Sequence, residues 1–87
     1  MSWPGYLAAF HQQRPGVTEA VLSHAHHEGR TPYQWLLEAV PAHGSVLDLA
    51  CGSAPLWPAL RGRRCLGVDA SAAELALARS RGAGPLL

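Results

Sequence analysis

Asp48, the small-residue turn Ala50-Cys51-Gly52-Ser53-Ala54 and Asp69 are the residues whose types and spacing could do chemistry. A turn of small residues between a strand and a helix lets backbone approach a ligand closely. The helix that follows presents free N–H groups to an anionic group. A carboxylate ending the next strand, about 20 residues on, can accept both hydroxyl hydrogen bonds of a ribose. Together these features describe one site at the carboxyl edge of a parallel sheet, where open α/β sheets bind nucleotides.

The residue types narrow the nucleotide. A dinucleotide-binding turn requires Gly-x-Gly-x-x-Gly so that a pyrophosphate can lie against bare backbone, and this chain has Ala50, Gly52 and Pro55 at those places. A phosphate-cradling loop ends in Gly-Lys-Ser or Gly-Lys-Thr, and the chain contains no lysine. Asp48, inside the strand just before the turn, repels a pyrophosphate and attracts a cationic amino group. Backbone N–H groups of the turn could also satisfy it, but a strand-centre acid needs a reason, and a cofactor role outweighs that bland one. Asp69 could cap the next helix, yet Ser71 stands ready for that task, so a ligand role is favoured there too.

Other chemistry-bearing residues read as structural. His24 and His27 share a helix face at i, i+3, and zinc favours histidine, but no further ligand is spaced to join them. They read, with His26, as polar helix surface. Cys51 has no paired base and is not expected to act as a nucleophile. Trp35, Trp57 and Phe10 read as core. Arg61, Arg63 and Arg64 read as a solvated turn.

The elements that must position the site follow from periodicity and caps. Tyr6 to Gln13 forms a short helix, broken at Pro15-Gly16, and Val17 to about His27 a second, ended by Gly29. Thr31 caps a third, with Pro32 at its first position, Gln34 completing a capping box and Pro41 stopping it. After Pro41 the pattern changes. Ser45–Ala50 is a short apolar run suited to a strand buried on both faces. Pro55 to about Leu60 makes a short helix, and Arg64–Asp69 a second strand. Ser71 and Glu74 form a capping box for a helix running to about Arg79, and Pro85-Leu86-Leu87 starts a third strand. Strand, helix, strand, helix with short connections predicts a parallel sheet.

Val46-Leu47-Asp48-Leu49-Ala50-Cys51-Gly52-Ser53-Ala54 resembles motif I of the class I S-adenosylmethionine-dependent methyltransferases, whose usual form is acid-x-Gly-x-Gly-x-Gly. Leu66-Gly67-Val68-Asp69-Ala70-Ser71 resembles the family's second-strand motif. The likeness covers residues 45–87, and Ala50 and Ala54 stand where the family has its first and third glycines. Arg30-Thr31-Pro32-Tyr33 through Leu37 resembles, more weakly, the helix that precedes this domain in some bacterial members. The resemblance implies an α/β, Rossmann-like parallel sheet, present here as two strands and the start of a third and preceded by N-terminal helices. It implies a lid region over residues 1–41 and the first part of a cofactor-binding domain over 42–87. The cofactor would be S-adenosylmethionine. Asp48 would hold its amino group, Ala50, Cys51, Gly52 and Ser53 would line the methionine moiety, Asp69 would bind the ribose and Ala70 would lie against adenine. Tyr33 or Arg30 would contact the carboxylate. In this family the acceptor site follows the third strand, so no catalytic residue and no methyl acceptor are named.

Size and composition bound the rest. At 87 residues the chain can form at most one small domain. Its 48% hydrophobic and 15% charged residues are those of a globular chain. A net charge of +1 with no basic cluster argues against nucleic-acid and membrane-surface partners. Two cysteines outside any C-x-x-C pair, no recognisable leader and no long apolar run suit a cytoplasmic protein. Two strands and a stub leave sheet edges unpaired, so the expectation is the N-terminal portion of a methyltransferase, truncated, marginally folded and self-associating through its open edge. The alternatives are a non-catalytic module pairing with a separate chain and, less favoured, a nicotinamide- or flavin-binding oxidoreductase fragment.

Overall fold

The computed structural model describes residues 2–87. The order of elements is α1 (Trp3–Gln13), α2 (Val17–Leu22), α3 (Pro32–Ala39), β1 (Val46–Leu49), α4 (Trp57–Leu60), β2 (Cys65–Val68) and α5 (Ala72–Ser80). The fold is therefore mixed, with three N-terminal helices followed by a two-stranded parallel sheet and its connecting helices.

Local chemistry accounts for most boundaries. Helix α1 starts earlier than Tyr6, because Ser2 accepts the Gly5 N–H at 3.1 Å and Pro4 fits the first turn, where its missing N–H costs nothing. In α3, Thr31 Oγ1 accepts the Gln34 N–H and Gln34 Oε1 accepts the Thr31 N–H, the full capping box. Val40 turns extended ahead of Pro41, as the residue before a proline must.

Helix α2 stops at Leu22, well short of His27. His24 folds its ring back onto the Ala20 carbonyl at 2.8 Å, and His27 and Arg30 exchange backbone hydrogen bonds across Glu28 and Gly29. Both turn residues, Glu28 and Gly29, have positive φ, as a tight two-residue turn requires, which glycine adopts freely and glutamate does not. His24 and His27 thus share no helix face, and among the described residues no cluster of metal-ligating side chains exists.

Strands β1 and β2 pair in parallel with Val46 opposite Cys65 and Leu49 opposite Val68. Pro85–Leu87 lies along the other side of β2, with the Gly67 N–H on the Pro85 carbonyl at 3.1 Å and the Leu87 N–H on the Gly67 carbonyl at 2.8 Å. The bridge between Gly67 and Leu86 is parallel, as the start of a third strand requires.

The core is small. Cys51, Leu60 and Leu75 are buried, and Ala54, Ala78 and Ala83 form a cluster with Trp57 and Leu86 packed against it and the Trp57 indole donating to the Gly84 carbonyl. Trp35, expected inside, stays exposed, with the Arg30 guanidinium 4.9 Å from its ring centre. The expectation that β1 is buried on both faces fails: Leu47 is 58% and Leu49 69% exposed. The covering elements of this chain lie on the other face, and nothing among the described residues packs over these leucines. The accessible surface of 5913 Å² is accordingly larger than the roughly 4,900 Å² typical of a compact protein of this mass. Among the described residues no helix is long and apolar enough to cross a membrane.

Gly67 lies at the centre of this sheet. A Cβ there would sit 2.8 Å from Leu86 Cδ2 and 3.0 Å from Cys51 Sγ. Gly67→Ala is expected to push the Pro85–Leu87 segment off β2 and to destabilise the fold by roughly 1–3 kcal/mol. Urea unfolding measures the loss, and an unchanged midpoint contradicts this packing.

Candidate functional site

The turn after β1 is held by one carboxylate. Asp69 Oδ2 accepts the Gly52 N–H at 2.7 Å, and its Oδ1 accepts the Ser71 N–H at 2.8 Å. Charged hydrogen bonds of this kind contribute about 1.5–3 kcal/mol each. They tie the turn to the end of β2 and to the start of α5. Ala50, Gly52 and Ala54 all adopt left-handed backbone, with φ of 55°, 56° and 60°. Two of these are alanines, for which that conformation costs about 1–2 kcal/mol. The clamp from Asp69 offsets that strain.

The N-terminal helices roof the turn through polar contacts, since no residue of α1, α2 or α3 is fully buried. The Ser53 hydroxyl donates to Glu19 Oε1 at 2.8 Å, and Arg81 pairs with both oxygens of Glu19. Glu74 Oε1 accepts the Gly16 N–H at 3.0 Å and lies 3.4 Å from His11 Nδ1. Gln12 accepts the Ala73 N–H.

Between roof and turn lies a cavity of about 290 Å³. Its walls include Ala50, Cys51, Gly52, Ser53, Asp69 and Tyr33, six of the nine residues singled out from the sequence. Beside it a second cavity of about 620 Å³ is bounded by Ala70 and Ser71 on one side and by Pro4, Leu7 and Ala8 of α1 on the other. Asp69 and His11 line both. The carboxylate expected to hold a ribose therefore stands where a small-residue cavity meets an apolar one.

Two expected residues lie elsewhere. Arg30 is exposed, forms an ion pair with Glu38 and covers Trp35, so it does not reach the cavity. Asp48 faces Gly67 within the sheet and lines neither cavity. Its side chain accepts no hydrogen bond among the described residues, and burial first, then the nearby Asp69 charge, raises its pKa. Burial, followed by Asp48 and Asp69, pushes the Cys51 thiol from 9.0 up to about 11, which makes it a poor nucleophile. The Tyr33 hydroxyl is raised too, by burial and then by Glu19 and Glu74.

Glu19, Glu74 and His11 line the site without having been singled out for it. Glu74 looked like half of a capping box. Ser71 Oγ does accept the Glu74 N–H at 3.3 Å, but Asp69 takes the Ser71 N–H, so the Glu74 carboxylate is free to turn into the cavity. Glu19 carried no local signal, because its partners Ser53 and Arg81 are distant in sequence.

The chain matches no protein-family model, no curated protein and no solved structure.

The raised pKa of Asp48 has a definite sign. The folded chain binds this proton more tightly than the unfolded chain, so stability falls as pH rises from the ordinary carboxylate pKa through the raised one. Asp48→Asn removes that cost and is expected to be more stable than the wild type at pH 7, with a flatter stability profile across the acid range. Urea midpoints measured from acid to neutral pH check it. A variant less stable at pH 7 contradicts it and implies a partner for this carboxylate.

Proposed function

We propose that this chain carries the S-adenosylmethionine-binding part of a class I, Rossmann-like methyltransferase. The observation that carries the reading is the position of Asp69 between the small-residue cavity and the apolar one. A nucleoside with a sulfonium-linked tail has the same order of parts, with base, ribose and tail in sequence. Ala70 and the apolar side of α1 suit the base, Asp69 suits the ribose hydroxyls, and residues 50–53 suit the tail. Both cavities have the size of small-molecule sites, which run from about 300 to 1,000 Å³.

The charge of the site supports this ligand over its rivals. Glu19, Asp69 and Glu74 line the smaller cavity, and no arginine does. Such a wall disfavours a pyrophosphate and accommodates a positive group. Asp69 already serves Gly52 and Ser71, but each carboxylate oxygen retains a further lone pair for a hydroxyl. When bound, the cofactor supplies a methyl group on a positive sulfur. The chain's own residues bind it, orient it and shield it from water, the main demands of such a displacement.

The second reading is a non-catalytic module that pairs with another chain. The exposed Leu47 and Leu49, on a strand whose second edge is unpaired among the described residues, favour it. Binding separates the readings. Calorimetric titration with S-adenosylmethionine and with a nicotinamide dinucleotide in parallel is expected to give saturable, weak binding of the first and none of the second. Binding of the dinucleotide alone supports an oxidoreductase, and binding of neither leaves the interaction module.

A further inference from the structure

Three carboxylates line the smaller cavity, and their partners differ. Both oxygens of Asp69 receive backbone N–H groups, and both oxygens of Glu19 receive Arg81, with Ser53 also on Oε1. Glu74 receives Gly16 and His11 on Oε1 only. Among the described residues its Oε2 has no donor. This side chain is 3% exposed, and Oε2 lies 3.4 Å from the point where a side chain on Gly52 would begin. No buried side-chain oxygen among the described residues lacks a partner, so this donor-free oxygen is not sealed in but open to the cavity beside the turn, where a ligand could donate to it.

The geometry points to Glu74 as the residue that holds the positively charged tail of the bound nucleoside, through Oε2 and across the bare backbone of Gly52. This assignment rests on the cofactor reading above and moves the cation-binding role from Asp48, which lines neither cavity, to α5. The class of ligand is an adenosyl compound whose tail carries an ammonium or a sulfonium. Several features fix the carboxylate for this role. Gly16, which donates to Oε1, has φ of +81°, a conformation that strains any side chain, and a Cβ there would force Leu77 Cδ2, 2.7 Å away, to shift. Asp69 relieves Glu74 of capping duty at Ser71. Among the described residues His11 is the one ion-pairing partner of Glu74, and it is charged only when protonated, while Arg81 pairs with Glu19. The same field reaches Tyr33, whose hydroxyl proton Glu19 and Glu74 help to retain.

The test compares S-adenosylmethionine with 5′-methylthioadenosine, which has the same nucleoside and a neutral tail, on the wild-type chain and on Glu74→Gln. Glutamine keeps an oxygen for the Gly16 N–H, and thermal melting verifies that the variant folds. The wild type is expected to bind the cationic ligand more tightly, and the variant to lose roughly tenfold or more of that affinity while holding methylthioadenosine unchanged. Equal weakening of both ligands, or no change in either, overturns the assignment and leaves the cofactor reading standing. If the variant does not fold, the wild-type pair decides alone: methylthioadenosine bound as tightly as S-adenosylmethionine overturns it. Binding of neither ligand to the wild type overturns the cofactor reading and the assignment together.

Discussion

The carboxylate of Asp69 is the constraint on which the site depends. It joins three pieces, the turn after β1, the end of β2 and the first N–H of the α5 cap, adding to the Ala54–Ala78 contact and the Cys51 N–H bond to the Val68 carbonyl. The turn needs such a clamp, because alanines occupy two left-handed positions that glycine would fill without strain. Asp69 also shapes what lies around it. By taking the Ser71 N–H it frees Glu74 for the cavity, and its nearby charge adds to the effect of burial in raising the pKa of Asp48. One side chain thus sets backbone geometry, local charge and the junction of two cavities.

Polar contacts rather than a core attach the N-terminal helices. Glu19 and Glu74 are the two posts of the roof, one reaching Ser53 and Arg81, the other reached from Gly16 and His11. Hydrogen bonds of this kind are directional and place the roof at a defined height above the turn, but they are few. The apolar core beneath is small, with three alanines beside Cys51, Leu60 and Leu75, and so buries little surface. Such a roof can open locally at small cost, which suits an enclosed ligand site.

The parts of this arrangement that are local in sequence were legible from it. The Thr31 capping box, the two short strands, the turn between them and the Ser71 cap all depend on neighbours within a few residues. The parallel direction of the strands followed from connection length, and Pro85–Leu87 read as the start of a third strand, though not which edge it would join. What could not be read were contacts across long separations: Gly16 with Glu74, Ser53 with Glu19, and α1 lying beside Ala70. Helix α2 ended early because the His27–Arg30 turn competed with its continuation. The burial of β1 was overestimated because a continuous apolar run announces that both faces want cover, not that this chain supplies it. Arg30 was drawn away by Trp35 and Glu38, neighbours one and two helical turns along.

A nucleoside seated across Asp69, with its base under α1 and its tail over Gly52, makes the central claim a statement about which backbone amides sense the ligand. Titrating an isotope-labelled chain with S-adenosylmethionine and following amide resonances tests it most directly. The account predicts shifts concentrated at residues 50–53, at 69–71 and along the inner side of α1, with those of Arg30 and Leu47 unmoved. Shifts centred on α3, on the exposed face of β1 or spread evenly along the chain would contradict it.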